Sequence, residues 1–251
     1  MANDSLVLLT PSRQKKNNPV SLLYISLYTM IFVIISSIVA LNILSGYFWI
    51  WLFKELFKRN ISIKDIIVYG FVAAAGSLGI AKGLQLSSIA TKVLTEEGSK
   101  SVSSYIARHS SQEPRLASDY VAHAIVCGVW FAIIENIIYI YYSRNGWDIA
   151  SIGVTRILSN SIMHAIFTGI IGYGAYEYAQ KPKLHRLYWV ILGFFWGVWL
   201  HRVYNRSLIS SHLAISIIFI IGGYYMLAFL LYKSDRLFID NQTPQHVDWE
   251  V

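Results

Sequence analysis

Four short groups of ionisable residues stand inside or beside long apolar stretches of this 251-residue chain. The first is Glu96-Glu97-Gly98-Ser99-Lys100. On a helix, Lys100 lies four residues beyond Glu96 and three beyond Glu97, so one ammonium can pair with one carboxylate and leave the other free. A freed carboxylate suits general-base work on water; the plainer alternative is an interfacial helix with solvated ion pairs. The second is Glu135 in Phe131-Ala-Ile-Ile-Glu135-Asn136, with 15 uncharged residues before it back to Asp119 and eight after it before Arg144. A carboxylate so placed must be protonated, paired or metal-bound. The third is Arg156 with His164, two helical turns apart, so that both can face a bundle interior. The fourth is His201-Arg202-Val203-Tyr204-Asn205, whose i,i+4 spacing puts His201 and Asn205 on one face. Taken singly, each histidine could be no more than a hydrogen-bond donor to a neighbouring helix.

Together the groups have the composition of a water-activating site within lipid. Glu135, His164 and His201 could supply three N/O ligands to a divalent metal and leave a position open for water, as in catalytic zinc sites. Glu96 or Glu97 would take the proton from that water. Lys100, Asn205 or Arg156 could steady the developing oxyanion.

The elements that must carry these residues follow from composition. The chain is 55% hydrophobic, 15% aromatic and 14% charged, with a mean hydropathy of +0.47. A soluble domain carries about a quarter charged residues, so an ordinary soluble enzyme and a disordered chain are both excluded. The formal charge of +7 is made by Lys and Arg standing singly between apolar stretches, which points to anchoring at a lipid bilayer and to no nucleic-acid partner. One cysteine, Cys127, allows neither an intramolecular disulfide nor a cysteine metal cluster.

The expected fold is therefore all-α: a polytopic transmembrane helix bundle of about seven helices around a polar intramembrane site, forming one integral membrane domain over 1–251. A polar tail occupies 1–19, the bundle 20–232 with its catalytic-like region at 86–205, and a soluble tail 233–251. The 37-residue uncharged run from 17 to 53 is too long for one straight span, reaching roughly 55 Å against a hydrocarbon core of about 30 Å. It reads as a helix over 20–44 broken near Ser45 and Gly46, with a helical hairpin as the alternative. Further spans are expected at about 65–83, 119–142, 151–178, 186–204 and 208–232. Hydropathy alone would reject a seventh helix over 86–108, which carries the paired glutamates.

The ordered set Glu96-Glu97-x-x-Lys100, Phe131-x-x-x-Glu135-Asn136, Arg156 with His164 eight residues on, and His201-x-x-x-Asn205 resembles the PrsW family of intramembrane proteases. That family is related to the type II CAAX prenyl endopeptidases, and the resemblance covers about residues 65–232. It implies Glu96 and Glu97 for water activation, and Glu135, His164 and His201 as metal ligands or polar stabilisers. It further implies a membrane-anchored protein substrate, as for the anti-sigma factor cut by the bacterial enzyme, and a multi-pass protein of a prokaryotic cytoplasmic membrane. The CAAX branch typically has His where this chain has Glu135 and Arg where it has Ser101, and both departures favour PrsW. A CAAX-type glutamate-dependent protease, a proton-coupled transporter and a non-catalytic scaffold are the competing readings. No inverted repeat supports the transporter, and a scaffold related to the γ-secretase subunit would lack the paired glutamates that this chain keeps.

Overall fold

A computed structural model describes residues 19–57, 63–83, 88–110, 119–142, 146–180, 183–209 and 213–242. The described residues form seven helices and no strand: α1 (Pro19–Phe57), α2 (Ile63–Gly83), α3 (Ile89–Ser110), α4 (Asp119–Tyr142), α5 (Gly146–Gln180), α6 (Lys183–Ile209) and α7 (Leu213–Gln242). The described residues are thus all helical, and the spans expected at 20–44, 65–83, 119–142, 151–178 and 186–204 each fall within one of these helices. The helix expected over 86–108 is α3 from Ile89, and the span expected over 208–232 divides between the end of α6 and α7, with 210–212 outside the described residues. Two stretches are long and apolar enough to cross a membrane by length and composition, Ser26–Trp51 and Tyr120–Tyr142. Shorter apolar stretches lie at Gly70–Ile80 and Ile217–Leu230.

Two further boundaries differ. α1 does not break near Ser45 and Gly46 but runs unbroken from Pro19 to Phe57. Those small residues serve as contacts. Ser45 Oγ donates to the carbonyl of Ile157 at 3.4 Å, and Gly46 faces Ile133 and Val129 of α4. At about 1.5 Å per residue α1 is about 58 Å long, nearly twice a hydrocarbon core. At the other end, residues 233–242, expected in the soluble tail, continue α7, while the rest of that tail and the polar segment 1–18 lie outside the described residues.

α4 and α5 are the hub. They pack on each other along their length, α4 also meets α1, α2 and α3, and α5 also meets α1, α3, α6 and α7. Their contact faces supply most of the core, including Val121, Ile125, Val129, Ile133, Ile162, Met163, Ile166 and Phe167. One glycine from each helix brings the two backbones together. A methyl at Gly128 would overlap the carbonyl of His164, and one at Gly172 would overlap the carbonyl of Tyr120. Small residues at such crossings replace the missing hydrophobic drive between helices in lipid with close packing. Burial separates hub from periphery. In the Tyr120–Tyr142 stretch 78% of the most apolar window is buried, against 11% in that of Ser26–Trp51.

The same packing explains α3. Its apolar content is too low for a lipid-facing span, yet Val93, Glu97, Lys100 and Ser104 form a buried i, i+4, i+7, i+11 face. That face meets α4, α5 and α6, so the polar groups of α3 are sheltered by protein.

Candidate active site

α3, α5 and α6 bring Glu97, Lys100, His164 and His201 into one buried cluster. The i,i+3 spacing directs Lys100 to Glu97: its Nζ donates to Glu97 Oε1 at 2.5 Å. Lys100 Nζ also donates to His164 Nδ1 at 3.0 Å. An ammonium offers only donors, so His164 Nδ1 accepts, and the ring proton on Nε2 is donated to Glu135 Oε2 at 3.2 Å. His201 Nδ1 donates to Glu97 Oε1 at 2.7 Å, and Thr168 Oγ1 donates to Glu97 Oε2 at 3.3 Å. A carboxylate without exposed surface is tolerated here because three polar groups from three helices satisfy it.

Aromatic rings wall this cluster. Phe167 stacks on His201 with centroids 4.9 Å apart and planes 13° from parallel. The ring of Phe131 lies 4.9 Å from that of His164 and 4.6 Å from Lys100 Nζ. Such walls exclude water and lower the local dielectric, which strengthens every charge interaction inside.

Glu96 stands at the edge. Its side chain keeps 12% of its surface and its Oε2 lies 3.8 Å from His201 Nε2. That nitrogen is buried and has no hydrogen-bond partner among the described residues. The helical register of α3 thus divides the two glutamates, one locked against Lys100 and one turned toward the open imidazole nitrogen.

Across His164 lies a second polar group. Glu135 Oε2 accepts from Arg156 Nη2 at 2.6 Å and from Asn160 Nδ2 at 2.9 Å, in addition to His164. Asn136 Oδ1 accepts from Arg156 Nε at 2.9 Å and from Asn160 Nδ2 at 2.8 Å. Arg156 lies over the ring of Tyr139 at 3.8 Å, and its side chain keeps 16% exposure. Seven of the eight residues read from the sequence therefore join one continuous network. The eighth, Asn205, is half-buried one turn beyond His201 on α6 and makes no hydrogen bond to that network among the described residues.

Four further residues belong to the network. Arg156, Asn160, His164 and Thr168 recur every fourth residue of α5 and form a single polar stripe, a signal present in the sequence. Asn136 was visible only as the neighbour of Glu135. Asn42 of α1, fully buried, donates to the carbonyl of Ile133 at 2.8 Å and accepts from Asn136 Nδ2 at 2.9 Å. It lies outside the 86–205 region.

For a metal, the donors that come together are Glu97, His164 and His201, all buried, with one ligand atom from each within 4.8 Å of the others. Two imidazoles and a carboxylate suit a divalent cation. His201 Nε2 is a buried nitrogen without a hydrogen-bond partner among the described residues, which leaves it a lone pair to offer. Two of the three donors already face the Lys100 ammonium, so the pocket is one that holds positive charge. Glu135 approaches His164 from the far side, and its Oε2 already accepts three hydrogen bonds.

A family model described as PrsW family intramembrane metalloprotease matches residues 19–232, which takes in the described helices from α1 through α6 and α7 as far as Tyr232. No curated protein and no solved structure matches the chain.

Proposed function

The chain belongs to the PrsW family of intramembrane metalloproteases, and on that footing we propose that it hydrolyses a peptide bond in or near the membrane segment of an anchored protein substrate. The observation that carries the reading is the convergence of Glu97, His164 and His201 from three helices, with Glu96 beside them at the less buried edge. Glu97, His164 and His201 are the residues that would hold a divalent cation, which we take to be zinc. When bound, such a cation supplies Lewis-acid polarisation of water and of the scissile carbonyl.

The chain's own groups divide the remaining work. Glu96 Oε2, facing His201 Nε2 at 3.8 Å, takes a proton from the attacking water as its oxygen bonds to the carbonyl carbon. As the C–N bond breaks, the same carboxyl returns that proton to the leaving nitrogen. Lys100, Arg156 and the amide of Asn205, which has no hydrogen bond to the network among the described residues, are the groups available to the oxyanion. Glu135 holds His164 by its Nε2–H, fixing the ring so that Nδ1 faces the buried cluster. Phe131 and Phe167 keep bulk water out. By family the enzyme acts on a protein substrate in the membrane; its placement as a multi-pass protein of a prokaryotic cytoplasmic membrane is part of this proposal.

The test is cleavage of a single-span membrane protein in proteoliposomes. Glu97→Gln and His164→Ala should each lower the rate by about 10³-fold or more while leaving insertion and detergent gel filtration unchanged. Retained cleavage in both would overturn the reading. Elemental analysis should find a stoichiometric divalent metal in the wild type and less in His164→Ala.

A further inference from the structure

We propose that Asn42 is a positioning residue for this reaction: from the first helix it fixes the orientation of Asn136, and through it the grip of Arg156 and Asn160 on Glu135. The inference rests on the protease reading above and assigns a role to a helix that otherwise reads as a lipid-facing anchor.

Asn42 is fully buried on α1, whose most apolar window is only 11% buried. A buried amide left without partners costs about 1–3 kcal/mol, so a lone asparagine in an apolar helix must be placed where its bonds are made. Both ends are satisfied here, and both by α4. Nδ2 donates to the carbonyl of Ile133 at 2.8 Å, and Oδ1 accepts from Asn136 Nδ2 at 2.9 Å. The first bond forces Asn42 to present its carbonyl oxygen to Asn136, and the second forces Asn136 to turn its NH2 toward α1.

The oxygen of Asn136 must then face the other way. It does, accepting from Arg156 Nε and Asn160 Nδ2. If Asn136 were reversed, its NH2 would confront a guanidinium and another amide NH2, three sets of donors with no acceptor among them. Arg156 and Asn160 would lose their anchor while still reaching for Glu135 Oε2, the atom that also receives the His164 Nε2 proton. A single amide orientation on α1 is thus transmitted through two helices to the imidazole. Asn136 Nδ2 also reaches the Arg156 carbonyl at 3.4 Å, a longer bond that holds the same orientation only weakly.

The test is a double-mutant cycle in full-length protein in proteoliposomes, with a reporter carrying one transmembrane segment that the wild type cleaves. Asn42→Ala and Asn136→Ala should each lower kcat by about tenfold, the low end for loss of a group that orients a ligand, with KM within about twofold. The double variant should be no slower than Asn136→Ala, because Asn42 acts only through it. A merely structural asparagine would slow both backgrounds by the same factor. Independently of any substrate, the imidazole 15N resonances of His164, assigned by their loss in His164→Ala, should shift in Asn42→Ala. If Asn42→Ala does not fold, Asn42→Ser, which keeps a hydroxyl for Asn136 to donate to, enters the same cycle. Wild-type kcat with unmoved His164 resonances, or equal losses in both backgrounds, overturns the proposal. Should Glu97→Gln cleave normally in the same assay, the protease reading itself fails, and the two failures are told apart.

Discussion

His164 divides the polar interior into two unlike halves. On its Nδ1 side, Glu97 and Lys100 have no exposed side-chain surface and His201 keeps 1%. On its Nε2 side, Glu135 keeps 11% and Arg156 16%, and the carboxylate is held by a guanidinium and an amide. Both halves pair a carboxylate with a cation, yet only the first contains a second imidazole and the orphaned nitrogen that faces Glu96. The dry half has the donors for chemistry. The wetter half has the rigid planar groups that hold an imidazole still. One histidine serves both because its two nitrogens take opposite roles, acceptor toward Lys100 and donor toward Glu135.

Deleting the cation from each half is the strongest way to break this contrast. Lys100→Met should lower stability by about 3–5 kcal/mol, since it leaves Glu97 buried without its charge partner, read as a fall in the thermal midpoint in detergent. Arg156→Met should cost roughly half as much or less, because its site is less buried and Asn160 and His164 remain on Glu135. Equal losses would mean that the halves are not distinct. Exchanging the carboxylates probes function: Glu96→Gln should lower kcat by about 10²–10³-fold, as loss of a proton acceptor does, and Glu135→Gln by about 10–10²-fold, as loss of an orienting group does. The reversed order in cleavage assays would give Glu135 the chemistry. The smallest effect tests the edges of the stripe. Thr168→Val removes one hydrogen bond of 3.3 Å from Glu97 and should cost about 1 kcal/mol of stability.

Most of this site can be read from residue types alone. A charge inside an apolar run has few explanations, so Glu97, Lys100, Glu135, His164 and His201 identify themselves. What spacing could not decide is which partner each finds. Glu97 and Glu96 are equivalent in sequence; only the packing of α3 against α5 and α6 turns the first inward. Asn160 and Thr168 carried a legible signal, the four-residue stripe on α5. Asn42 did not, because its partner Asn136 is 94 residues away and an isolated amide announces nothing. The break expected in α1 has a similar origin. Ser45 and Gly46 weaken a helix locally, but contacts to Ile157 and Ile133 on distant helices outweigh that preference. The expected start of the tail at 233 assumed that charge ends a helix, whereas α7 simply leaves the apolar layer and continues to Gln242.

The four-residue stripe on α5 raises a question of indexing. Any structure that repeats each turn can slide by one turn and still mesh, and such a slip would put Asn160 or Thr168 where His164 belongs. The pair of glycines at the α4–α5 crossing removes that freedom. Gly128 alone would accept any stretch of α5 backbone, but Gly172 must face the carbonyl of Tyr120 at the same time. Shift α5 by one turn and Thr168 or Tyr176 would occupy the gap that only a hydrogen atom fits. The address of the histidine is therefore written by an absent side chain two turns away from it.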